Sequence, residues 1–253
     1  MKNVNYNGVD QMISDEIREQ QKKLKDMSLK EKAGYIAYYY KWHILIVLVI
    51  LSVAASFIHN LVTKKENVFF LEVLNSNVPM DGSGDLIEPY LEKAEDFDPQ
   101  KQQMTADYCF IDVNGGDYMS MATDQKVTAM LTVGSIDAMI APPAVIEKYK
   151  ATECFTDMRE VLPQDLRNRL EEAGIEFYYS KITDVNTNTV TDVPIGVIIT
   201  DTPVIKSGFT DNNGIDHKYY DDASGAFPVY TVMYNSANMK RAVDFLGHLL
   251  ESR

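Results

Sequence analysis

Residues 44–58, ILIVLVILSVAASFI, form the feature that most constrains this chain: fifteen consecutive positions without a charge. With Trp42, His43 and the flank to Thr63, the stretch reaches about the 20 residues that cross the hydrocarbon core of a bilayer. A helix of a globular protein keeps one polar face toward water, and this run offers none. It predicts a single transmembrane helix over 42–63, with the membrane lipid bilayer as a partner of the chain. Two other readings stand beside that one. A cleaved signal peptide would use Ala54-Ala55-Ser56 as its small-residue cleavage site. A helix enclosed in a soluble core is the other. The long segment before the run, and its continuation through Leu61 and Val62, speak against cleavage.

Charge orients the span. Residues 1–43 hold eight Lys/Arg against six Asp/Glu, a net of +2, which leaves −15 of the total −13 for everything after them. Lys22, Lys23, Lys25, Lys30, Lys32 and Lys41 precede the run, and Tyr38, Tyr39, Tyr40 and Trp42 group where an aromatic belt meets the headgroups. Positive charge stays inside, so the N-terminus is expected in the cytoplasm and the C-terminal part outside the cell. Scattered apolar positions over residues 8–34 (Met12, Ile13, Ile17, Leu24, Met27, Leu29) predict a modest amphipathic helix in this juxtamembrane segment. An acidic outer part repels phosphate, so nucleic acid is not expected as a partner. Cys109 and Cys154 are the two cysteines, both on the predicted outer side, where an oxidising medium permits but does not require a disulfide. Cys109 falls in an apolar strand-like run and reads first as a buried thiol. No cysteine follows the apolar run as a lipoprotein signal requires.

After a linker at 64–67, residues 68–253 alternate between short apolar runs and helical patterns. Strands are predicted at 68–75, 104–113, 136–141, 176–179, 193–200 and 228–235. Helices are predicted at 85–95, at 123–133 with Thr123 as its cap and Gly134 as its stop, at 143–150 after Pro142, at 163–172 opening on Pro163, and at 238–250. Residues 201–227, rich in Asp, Asn, Gly and Ser, read as a long loop. Such alternation predicts an α/β layered domain with a largely parallel sheet and flanking helices.

The stretch Gly134-Ser135-Ile136-Asp137-Ala138-Met139-Ile140-Ala141-Pro142, followed by a helix and then Phe155-Thr156-Asp157-Met158-Arg159-Glu160-Val161-Leu162-Pro163, resembles the extracellular solute-binding proteins of ABC importers, the periplasmic type 2-like class. Pro194-Ile195-Gly196-Val197, the 228–234 strand and the 239–250 helix suit positions where that fold returns to its first lobe. The segment Tyr35-Ile36-Ala37-Tyr38-Tyr39-Tyr40-Lys41-Trp42-His43 resembles the leader of an uncharacterised set of membrane-anchored proteins from Gram-positive gut bacteria. The resemblance implies a reduced solute-binding fold, since residues 68–253 are only 186 in number and importer binding proteins carry two full lobes.

Catalytic signatures are missing: the sequence holds no G-x-S-x-G, H-E-x-x-H, G-x-x-x-x-G-K-[ST] or G-x-G-x-x-G. No enzyme and no cofactor are expected. Of the four histidines, only His217 falls in a predicted loop. Asp81, Ser83, Asp85 and Glu92 stand at positions 1, 3, 5 and 12 of an EF-hand-like loop, but Leu86 occupies the place that needs glycine, so a turn and helix cap is expected. The oxygen-rich set Asp211, Asn213, Asp216, Asp221 and Asp222 reads as solvated loop, and no metal site is expected. Parallel α/β sheets bind ligands beyond the carboxyl ends of their strands at a topological switch. That rule nominates Asn75, Ser76 and Asn77 after the first strand, with Thr123 at a helix N-terminus. The expected function is an anchored extracytoplasmic binding or sensing module for a small-molecule solute or a membrane protein partner. The alternative is an accessory or docking subunit of an envelope or transporter complex without a solute cleft.

Overall fold

The computed structural model describes residues 18, 19, 22, 27–79, 81–115, 118–183, 189–221 and 226–251. The predicted amphipathic positions Met12, Ile13, Ile17 and Leu24, and the predicted cluster member Asp222, lie outside them. Residues 1–64 and 65–253 cluster into two separate units.

In the first unit, helix α1 (Leu29–Tyr39) opens on a capping box that the sequence reading missed. Ser28 N–H and Oγ both donate to Glu31 Oε2, at 2.9 and 2.8 Å, and Glu31 N–H donates back to Ser28 Oγ at 3.4 Å. Helix α2 (Lys41–Thr63) follows and contains the apolar run. Its 23 residues extend about 34 Å at 1.5 Å per residue, slightly more than the ~30 Å hydrocarbon core of a bilayer. No residue of the window Lys41–His59 is buried.

The second unit is a mixed α/β layer. A six-stranded sheet runs β2-β1-β3-β8-β5-β4, where β1 is Glu66–Leu74, β2 Gln102–Cys109, β3 Ala138–Ala141, β4 Phe177–Thr183, β5 Val190–Ile198 and β8 Val229–Val232. Each predicted strand is present, displaced by a few residues at its ends, and β1 begins inside the predicted 64–67 linker. The pairing corrects the expectation of a largely parallel sheet. β1 is parallel to β2 and β3, but β8 is antiparallel to β3 and β5, and β5 is antiparallel to β4. The physical reason lies in the connections. Helix α3 (Glu88–Leu91) and helix α4 (Tyr118–Val133) cross over between β1, β2 and β3, as parallel neighbours require, whereas no described helix separates β4 from β5.

Further helices are α5 (Pro143–Tyr149), α6 (Met158–Val161), α7 (Gln164–Glu172), α8 (Pro203–Ser207) and α9 (Met239–Leu249). The predicted 201–227 loop contains α8 and a small hairpin of β6 (Phe209–Thr210) with β7 (Asp216–His217). Two apolar layers flank the sheet. On one side Phe69, Leu71, Val73, Ile140, Tyr230 and Val232 pack with Tyr90, Leu166, Phe245 and Leu246. On the other, Leu74, Met139, Ala141 and Val229 pack with Val127 and Leu131 of α4 and Val145 and Ile146 of α5. Gly134 ends α4 at φ +70°, a conformation that costs a Cβ-bearing residue energy.

The segment that carries the importer resemblance has structural tasks here. Asp137, buried, accepts from Phe70 N–H at 2.8 Å, Ser236 Oγ at 2.6 Å and Asn238 Nδ2 at 3.2 Å, tying β1 and β3 to the start of α9. Asp157 caps α6 by accepting from Arg159 N–H at 2.9 Å, and Pro163 precedes α7 as its cap residue.

Candidate functional site

β1 lies between β2 and β3, and its crossovers run to opposite faces: Tyr90 of α3 belongs to one apolar layer, Val127 and Leu131 of α4 to the other. Strand order reverses at such a point, and the loops beyond the carboxyl ends part to leave a crevice. A cavity of about 360 Å³ opens there, lined by Ser76, Val78, Pro79, Tyr108, Cys109, Phe110, Met119, Ser120 and Thr123. Its volume is within the range of small-molecule sites.

The four residues nominated from sequence separate into two pairs. Ser76 and Thr123 line the cavity. Asn75 does not: it adopts φ +57° and clamps the start of the next loop, its Nδ2 donating to Ile111 O at 2.9 Å and its Oδ1 accepting from Ile111 N–H at 2.7 Å. Asn77 points to the 218–221 segment, donating from Nδ2 to Lys218 O at 3.2 Å and to Asp221 Oδ1 at 3.1 Å. Thr123 needs a correction. It is not a helix cap, because α4 begins at Tyr118 and Thr123 falls in its second turn. Residues 118–122, YMSMA, are compatible with helix, so the helix starts a turn earlier than a cap at Thr123 would place it.

The walls are set by their own contacts. Tyr108 Oη donates to Asp85 Oδ1 at 2.8 Å and accepts from Leu86 N–H at 2.8 Å. Burial, reinforced by the Asp85 carboxylate, holds the phenol well above its ordinary pKa. Ser120 Oγ accepts from Asp112 N–H at 2.7 Å and fixes the loop that leads into α4. Of the lining residues, Phe110 and Met119 are largely exposed. Sequence reasoning missed Tyr108, Phe110 and Met119, because an apolar run at the end of a strand carries the same signal whether it enters the core or borders a cavity.

A larger groove, about 590 Å³, is bordered by α7, α9 and the 90–96 segment. Three of its charged side chains have internal partners: Lys93 pairs with Glu251 at 3.1 Å, Arg241 donates to Glu95 O at 3.1 Å and Arg169 donates to Gly247 O at 3.2 Å. The oxygen-rich turns are likewise occupied. Asp81 Oδ1 accepts from Ser83 N–H at 2.9 Å, and Asp211 accepts from Asn213 N–H at 2.9 Å and Ile215 N–H at 2.8 Å. His217 Nε2 lies 3.2 Å from Asp211 Oδ2, with its ring stacked on Phe209.

An acidic group interrupts the apolar layer under α4. Glu72 of β1 has no exposed surface, and its carboxylate oxygens have no hydrogen-bond donor beside them other than the weak Cys109 thiol. In register beside it on edge strand β2 is Asp107, with Cys109 two residues on along the same face. Lys126 of α4 pairs with Asp107, with its Nζ 3.9 Å from Cys109 Sγ. Burial, reinforced by Asp107, pushes the Glu72 carboxyl up to about 8. Burial and the two carboxylates push the Cys109 thiol up to about 12. Cys109 is half-buried rather than enclosed, Cys154 is buried, and both thiols are free.

No protein-family model matches the sequence, and no curated protein matches it. Among solved structures, a cysteine-to-aspartate variant of full-length OxyR from Pseudomonas aeruginosa aligns over 95% of this chain and 90% of that one. The identity is 12% and the TM-score 0.20. A likeness of that size carries no argument about fold or function.

Proposed function

We propose that this chain is a single-pass membrane-anchored binding or sensing module, with residues 1–41 in the cytoplasm and the α/β unit outside the cell. The observation that carries the anchor is α2, a 23-residue helix with no Asp, Glu, Lys or Arg after Lys41 and no buried residue in its Lys41–His59 window. The lysines before it and the acidic chain after it support the orientation. The cavity beyond β1 and β2 is the ligand site in this reading. Ser76 and Thr123 supply hydroxyls, and Val78, Pro79, Phe110 and Met119 supply an apolar surface, which suits a small, partly apolar solute. The solute-binding reading also draws on the sequence resemblance over residues 134–163. Catalysis is not part of the proposal.

One observation favours the accessory reading: residues 65–253 form one compact unit rather than two lobes that could close on a solute. The two readings separate in a thermal-unfolding screen of the full chain in detergent micelles against sugars, amino acids, peptides and divalent cations. A compound that binds only the folded state raises the midpoint. A shift abolished by Ser76→Ala or Thr123→Ala supports the cavity. No shift with any organic compound removes solute capture and leaves the docking role. Carbonate extraction and protease accessibility in sealed vesicles test the anchor; release into the soluble fraction overturns it.

A further inference from the structure

We propose that Glu72, Asp107 and Cys109 form a binding site for a thiophilic divalent cation of the zinc class, and that Lys126 is the group the cation displaces. The inference stands independently of the solute-binding reading.

Geometry is the first support. The three side chains each present one donor atom, and these atoms all lie within 4.8 Å of one another. Around a tetrahedral zinc-class ion, with about 2.0–2.2 Å to oxygen and about 2.3 Å to sulfur, neighbouring ligands stand roughly 3.5 Å apart. Contraction by about 1 Å would close the site, and Asp107 and Lys126, whose side chains are 31% and 47% exposed, have the room to make it. The strand architecture sets the rest. Asp107 and Cys109 are two apart on the edge strand and so share a face, and the parallel register puts Glu72 directly beside Asp107.

Glu72 supplies the second, independent support. A carboxylate with no exposure and no hydrogen-bond donor beyond a weak thiol costs a fold several kcal/mol unless something offsets it. An apolar residue at 72 would simply continue the layer made by Phe70 and Leu74. A divalent cation gives the buried oxygens a partner.

The donor set selects the metal. One thiolate with two carboxylates suits zinc-class ions, whereas magnesium and calcium take oxygen ligands. On binding, the Cys109 thiol proton and the Glu72 proton pass to solvent, and the Lys126 ammonium leaves Asp107. Three anionic ligands around a divalent ion leave one net negative charge on the site. A fourth position remains for water or an incoming ligand, and Cys109 also belongs to the wall of the cavity described above.

The test is titration of the metal-stripped full chain, in detergent micelles, with Co2+ alone and then with Zn2+ in competition. Saturable binding with a thiolate-to-cobalt charge-transfer band is expected, bleached by Zn2+. Cys109→Ser should abolish the band while Cys154→Ser retains it. Glu72→Gln, nearly isosteric and free of the buried charge, should weaken binding about tenfold or more without lowering the metal-free melting midpoint, which separates lost ligation from misfolding. Lys126→Met should tighten binding, because its competitor is gone. Absence of the band in the wild type, its persistence in Cys109→Ser, or equal affinity in Glu72→Gln would each overturn the site.

Discussion

β1 presents Phe69, Leu71 and Val73 to one side of the sheet and Phe70, Glu72 and Leu74 to the other, so one strand samples two interiors. The first interior is aromatic and closed. Phe245 sits 5.2 Å from the Phe69 ring and 5.2 Å edge-on to Tyr90, and Tyr230 Oη donates to Ala242 O at 2.6 Å. Every polar hydrogen bond named there serves the packing. The second interior is apolar along β3 and α5 but carries a carboxylate, an edge aspartate, a thiol and a lysine where it meets β2. The difference teaches where to look for chemistry. A layer closed by α9 is built for stability, while the layer under α4, open at the sheet edge, retains groups that stability alone would discard.

The largest effect is expected in the closed layer. Phe245→Ala should lower stability by about 3–5 kcal/mol, read by denaturant unfolding of the full chain, because a buried ring and its aromatic neighbours are lost together. A cost below about 1 kcal/mol would mean that this layer collapses easily, and would break the contrast.

Next is Glu72→Gln in chelated protein, which should raise stability near pH 8 by a few kcal/mol. Its sign follows from the raised carboxyl pKa, about 8 in the fold against an ordinary 4.5. Below about 4.5 the group is protonated in folded and unfolded chains alike and the variant gains little. As pH rises toward 8 the unfolded chain gives up its proton while the fold retains it, so wild-type stability falls, and the variant should lack that slope. Parallel pH curves for the two proteins would show that Glu72 is not strained in the metal-free fold.

A smaller loss, about 1–3 kcal/mol, is expected for Asn75→Ala, which removes two hydrogen bonds to Ile111 and puts alanine at positive φ. The expected readout is a lower melting midpoint. Any loss of ligand binding beyond the loss of folded protein would restore Asn75 to the site. Smallest of all, Ser76→Ala and Thr123→Ala should each change stability by no more than about 0.5 kcal/mol, since both border a cavity rather than the core. A ligand shift seen in the wild type should vanish in both.

Legibility in the sequence followed the range of the interactions. The strands and the Pro142, Pro163 and Gly134 boundaries are local signals of period and conformational preference, and the sequence places them close to where the structure does. Ser76 and Thr123 were reached by a rule about strand ends, which is semi-local. Asn75 and Asn77 obeyed the same rule, yet they bond to Ile111 and to the 218–221 segment, one partner 36 and the other more than 140 residues away. No window of sequence contains that choice. Glu72 was passed over for the same reason. One acid in VFFLEVLN is unremarkable until register sets it beside Asp107.

By itself, then, the sequence determined the 23-residue apolar helix, the charge asymmetry around it, and the alternating α/β content after it, because each depends on neighbours within a turn or a strand. Only the tertiary structure decided that β8 enters between β3 and β5 in the reverse direction, and that Ser76 and Thr123 border one cavity while Asn75 and Asn77 fasten loops. It alone brought Glu72, Asp107, Cys109 and Lys126 together. Those outcomes depend on which distant segments bury each other's surfaces, and burial is a property of the whole packed chain.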